Sequence, residues 1–107
     1  MPTYNKLVRD LIPEIIDNSG KTAHTKYLTE SEHREELLKK FTEELEEYKQ
    51  ADTKIHQQEE LADLLELIHA LAELDGLDLE TIEKTRQEKA HKRGSFRQGI
   101  FLMEVDG

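Results

Sequence analysis

The chain has 107 residues, a length that suits one domain with a modest hydrophobic core. It holds no cysteine, so disulfides, thiol nucleophiles and thiolate metal sites are excluded. Its net charge of −9 argues against a basic surface for nucleic acid, and no apolar run is long enough for a membrane span. The polar, basic N-terminus lacks the apolar stretch of a signal peptide, so a cytoplasmic protein is expected. The charge is uneven. Residues 30–80 carry 17 acids against 5 bases, whereas residues 81–107 carry 4 acids against 6 bases.

In chain order, residues 1–10 read as extended or irregular. Pro13 suits the first turn of a short helix that runs to about Asn18 and stops at Gly20. Residues 21–28 alternate too weakly to define a strand. Thr29 and Glu32 form a capping box, which predicts a long helix from about Glu30 to Ala51. Asp52 or Thr53 caps a second long helix to about Asp75, ended by Gly76. Asp78 caps a last helix ending near Arg93, with Gly94 after it. The tail from Phe96 to Val105 is apolar enough to be expected to pack back, partly as a strand.

The first long helix has a buried seam at Leu37, Phe41, Glu44, Tyr48 and Ala51, with alternating spacings of four and three. Glu44 thus takes a core position, and Glu47 lies beside it. The second has a stripe of Glu60, Asp63, Leu67, Leu71 and Leu74, so acids again extend an apolar face. Each acid pair has the i, i+3 spacing that puts both side chains on one side of a helix. Twelve residues separate Glu47 from Glu60, enough for a turn and an antiparallel return. Core-facing carboxylates need a partner or a metal, and an all-oxygen set suits a hard divalent cation such as Mg²⁺, with Mn²⁺ as a substitute. Leu61, Leu64, Leu65, Leu67, Ile68, Leu71 and Leu74 cover more than half of the second helix. This predicts burial on two sides, most simply in a homodimer or a higher homo-oligomer.

The run Glu43-Glu44-Leu45-Glu46-Glu47, followed by Glu60-Leu61-Ala62-Asp63, resembles the acidic signature of the MazG-like all-α nucleoside triphosphate pyrophosphohydrolases. Tyr4-Asn5-Lys6-Leu7-Val8-Arg9-Asp10 with Ile12-Pro13-Glu14-Ile15-Ile16 resembles the N-terminal motif of the small, single-domain house-cleaning branch. Lys92-Arg93-Gly94-Ser95-Phe96 with Gly99-Ile100-Phe101-Leu102 is similar to its C-terminal motif. The branch commonly has Lys where Leu11 stands and Gly where Ser95 stands.

The resemblance implies a single MazG-like domain over residues 1–107, an antiparallel helical bundle with short irregular or partly extended ends. It implies Mg²⁺-dependent cleavage of a nucleoside triphosphate between the α and β phosphates, giving a monophosphate and pyrophosphate. By motif position, Glu44, Glu47, Glu60 and Asp63 are the metal ligands. Glu47 is also expected to orient or deprotonate the attacking water. Lys6, Arg9, Lys92 and Arg93 match basic positions of the branch and are expected to hold phosphate oxygens, while Glu43 and Glu59 flank the motif.

Three other readings are open. A phosphoribosyl-ATP pyrophosphohydrolase of histidine biosynthesis shares the acidic signature, but the motifs Tyr4–Asp10 and Lys92–Phe96 point away from it. A non-enzymatic, dimeric helical interaction module explains the charge but not the acids on buried stripes. A di-iron carboxylate bundle needs Glu-x-x-His pairs at one level. Glu30/His33, Glu66/His69 and Glu88/His91 have the spacing but fall at a helix start, on a polar strip and at a helix end.

Overall fold

A computed structural model describes residues 3–107. It is all-α, with α1 (Ile12–Asn18), α2 (Glu30–Gln50), α3 (Lys54–Leu74) and α4 (Leu79–Arg93), and no strand among the described residues. The chain divides into two compact units, residues 1–76 and residues 77–107.

In the first unit, α2 packs against α3. The capping box forms at the start of α2: Glu32 N–H donates to Thr29 Oγ1 at 3.2 Å, and Thr29 N–H donates to Glu32 Oε1 at 3.0 Å. These bonds satisfy helix-start donors that would otherwise be bare. The turn between the long helices is short, because Ala51 leaves the helix in an extended conformation and Thr53 immediately caps α3. The Thr53 hydroxyl accepts from His56 N–H at 3.1 Å. At the other end, Arg34 donates to both carboxylate oxygens of Asp75, at 3.0 and 3.3 Å. That fork joins the first turns of α2 to the end of α3, so the two helices run antiparallel. Gly76 follows with φ +70°, a left-handed conformation that glycine reaches at least cost.

The seam between α2 and α3 matches the expected stripes. Leu37 and Ala72 are buried, and Phe41, Tyr48, Leu64, Leu67, Leu71 and Leu74 are half-buried. Away from the seam, Leu38 and Leu45 on α2 and Leu61, Leu65 and Ile68 on α3 stay exposed. The last three recur at i, i+4 and i+7, which is one continuous apolar stripe.

In the second unit, Asp78 caps α4, accepting from Glu80 N–H at 3.3 Å and from the Thr81 hydroxyl at 3.2 Å. His91, Lys92 and Arg93 sit in its last turn, where cations complement the helix dipole. The tail departs from expectation. It is neither strand nor packed: Phe96, Ile100, Phe101, Leu102, Met103 and Val105 are all largely exposed. Residues 21–28 are likewise irregular.

Candidate metal centre

The α2–α3 hairpin brings the two acid pairs face to face. One carboxylate oxygen from each of Glu44, Glu47 and Glu60 lies within 4.8 Å of the others. Glu44 is the buried member at 8 % exposure, Glu60 is half-buried and Glu47 is exposed. The expected core position of Glu44 is therefore its observed one. Its place in the seam follows from the four-and-three spacing that also buries Leu37.

This cluster is electrostatically unfinished. Oε2 of Glu44 and Oε2 of Glu60 are buried and accept no hydrogen bond from any described group. Burial pushes the Glu44 carboxyl up to about 8 from an ordinary 4.5; the carboxyl of Glu60 close beside it and repulsion from Glu47 and Asp63 add to the effect. Buried acceptors without donors are costly, and converging carboxylates are relieved by a proton or a cation. Three oxygen donors of this kind fit a hard divalent ion such as Mg²⁺, Mn²⁺ or Ca²⁺. The residues present thus suit a metal, with Glu44, Glu47 and Glu60 as its holders.

Asp63 stands one helical turn beyond Glu60. Its charge reaches Glu44, but its Oδ1 accepts from Arg9 Nη2 at 2.7 Å. The segment before α1 therefore delivers a guanidinium to the rim of the acidic cluster, 54 residues away in sequence. Lys6 has a different neighbour: its ammonium lies 5.5 Å from the centroid of the Tyr4 ring. Lys92 and Arg93 belong to the second unit, in the last turn of α4. Glu43 pairs with Lys40 at 3.8 Å on α2, and Glu59 lines a cavity. No histidine joins the carboxylate cluster among the described residues.

The cavity lies at the hairpin turn. It is a depression largely open to solvent, measures about 350 Å³ and is lined by Glu47, Gln50, Ala51, His56, Glu59 and Glu60. Gln50 and His56 did not stand out in the sequence, and Ala51 stood out only as the end of the buried seam. The available signal was positional: they flank the turn that joins the two acid pairs.

Comparison with known proteins fits this site. The family model described as phosphoribosyl-ATP pyrophosphohydrolase matches residues 8–90 and takes in all four acids and Arg9. No curated protein and no solved structure matches the chain.

Proposed function

The chain belongs to the phosphoribosyl-ATP pyrophosphohydrolase family, within the MazG-like all-α superfamily, and is thus a hydrolase of phosphoric anhydrides; from that premise we propose that it cleaves nucleoside triphosphates between the α and β phosphates with the help of Mg²⁺, as a house-cleaning enzyme of the nucleotide pool. The observation that carries this reading is the convergence of Glu44, Glu47 and Glu60 with two buried, unpartnered carboxylate oxygens. The motifs Tyr4–Asp10 and Lys92–Phe96 lie largely outside the matched residues 8–90 and favour the house-cleaning branch. The family match itself favours phosphoribosyl-ATP as the second candidate substrate. Both substrates lose pyrophosphate from the same bond.

A bound divalent ion would lower the pKa of a nearby water and neutralise charge on the departing pyrophosphate. Glu44, Glu47 and Glu60 would hold that ion. Glu47 is exposed and borders the cavity, which supports its carboxylate as the acceptor of a proton from the attacking water. Asp63 completes the acidic set and pairs with Arg9, which would hold phosphate oxygens with Lys6, and motif resemblance alone suggests the same role for Lys92 and Arg93. Phosphoryl transfer depends mainly on such positioning and charge neutralisation.

The deciding experiment is a product analysis with Mg²⁺ over a panel of nucleoside triphosphates and phosphoribosyl-ATP. Monophosphate plus pyrophosphate is the expected outcome. Orthophosphate with a diphosphate would mean attack at the γ phosphorus and would refute the assignment. Turnover of phosphoribosyl-ATP alone would select the biosynthetic reading.

Arg9→Ala and Arg93→Ala should each lower kcat/KM by roughly ten- to a hundredfold, the cost of losing a charge-assisted contact of about 1.5–3 kcal/mol. Divalent-ion affinity should change far less, as calorimetry with Mn²⁺ would report. Equal losses in metal affinity and turnover would mean that these arginines position the metal-holding carboxylates rather than grip phosphate.

The protein should also be a homodimer or a higher homo-oligomer. The exposed stripe of Leu61, Leu65 and Ile68 is the kind of apolar surface that interfaces cover. Sedimentation of the wild type should give at least a dimer at micromolar concentration, and Leu65→Asp should yield a helical monomer. A wild-type monomer would remove the stripe from consideration.

A further inference from the structure

We propose that the cavity at the hairpin turn takes the nucleoside half of the substrate, that Gln50 and His56 read its base, and that the pyrophosphate half lies toward Arg9. The inference rests on the pyrophosphohydrolase reading above and adds a direction to it. The bond to be broken lies at the carboxylate cluster, so a nucleotide must extend from there in two opposite directions.

The hairpin offers two different environments for those two ends. Along α3 the order is His56, Glu59 and Glu60, then Asp63 with Arg9 bound to it. At about 1.5 Å of rise per residue, His56 and Asp63 are separated by about 10 Å along the helix, with the cluster between them. The Arg9 end carries a guanidinium, which suits the β and γ phosphates, the more highly charged half of the molecule. The cavity end has no lysine or arginine in its lining, and beyond the metal-holding Glu47 and Glu60 its acid is Glu59. That carboxylate repels free phosphate oxygens but can accept hydrogen bonds from ribose hydroxyls.

The other lining groups suit a nucleobase. The Gln50 amide has both a donor and an acceptor for a base edge. The His56 ring supplies a flat face and a hydrogen-bonding nitrogen, and Ala51 contributes a half-buried methyl group. A volume of about 350 Å³ falls at the lower end of the usual range for small-molecule pockets. Neither side chain caps a helix: the cap at Thr53 uses the His56 backbone N–H, so alanine there preserves it.

The test uses the full chain with Mn²⁺ and compares wild type with Gln50→Ala, His56→Ala and Arg9→Ala. Turnover efficiency is measured over ATP, GTP, CTP and UTP, and binding of Mn²⁺ and of Mn²⁺-pyrophosphate is measured by calorimetry. Gln50→Ala and His56→Ala should change the ratios between bases by about tenfold or more. Their affinities for Mn²⁺ and pyrophosphate should stay within about twofold of wild type. Arg9→Ala should do the reverse, weakening pyrophosphate about tenfold or more with base ratios unchanged. Unchanged base ratios in both cavity variants, with wild-type turnover intact, would overturn the pocket assignment alone. The same holds if those variants weaken pyrophosphate as much as nucleotide. A wild type that releases no pyrophosphate from any nucleotide would overturn the pocket and the catalytic reading together.

Discussion

Glu44→Gln and Glu60→Gln are each expected to nearly abolish turnover while leaving the helical fold intact. The amide keeps the shape of the side chain and removes the charge that a hard cation requires. Metal-assisted charge stabilisation contributes several kcal/mol to such reactions, so the expected loss is on the order of 10²–10⁴-fold in kcat. Glu44 is the more informative position because it is the buried member of the cluster. The amide also cannot take on the negative charge that Glu47, Asp63 and Glu60 repel at this buried position. The variant should therefore melt at the same or a higher temperature than wild type without metal. Loss of activity together with unchanged or improved metal-free stability separates a functional acid from a structural one. Near-normal activity of either variant at saturating Mg²⁺ would show that the cage is elsewhere.

The α2–α3 hairpin was legible in the sequence because its signals are local and agree with one another. A capping box at Thr29, a cap at Thr53 and two apolar stripes with matched acids each specify part of the same object. The acid cluster was legible for the same reason, since i, i+3 spacing within each helix and one short turn between them determine its geometry. The Arg9–Asp63 pair was not, because nothing near Arg9 indicates which of many acids it meets 54 residues later. The roles expected of Lys92 and Arg93 came from motif resemblance, and their helix explains their charge through its dipole alone. The tail shows a further limit of pattern reading. Phe96, Phe101 and Met103 signal a need for burial, but an apolar residue does not encode which surface covers it. Gln50 and His56 carry no periodic signal at all, and only the cavity marks them.

Metal and pH should act on the stability of this protein in opposite directions, and Glu44 is the reason. Its carboxyl titrates at about 8 in the folded chain and at an ordinary 4.5 when unfolded. Between those values the folded state holds a proton that the unfolded state has released. Stability without divalent ions is then highest below about pH 4.5 as far as this group is concerned, and falls as pH rises to about 8. Over the whole window the effect is on the order of a few kcal/mol, large against the stability of a small domain. A bound cation reverses the trend, because it replaces that proton and stabilises the folded state more as the carboxylate becomes available. Melting curves at pH 5.5 and pH 8.5, in EDTA and in excess Mg²⁺ or Mn²⁺, should therefore cross. The metal-free protein should melt lower at pH 8.5 than at pH 5.5, and the metal-induced rise should be greatest at pH 8.5. Glu44→Gln isolates the cause, since it keeps every other titrating group and should lose most of both trends. Equal metal-induced shifts at the two pH values in the wild type would mean that no buried carboxylate gives up a proton to the ion. The three converging glutamates would then be an acidic surface and not a metal centre.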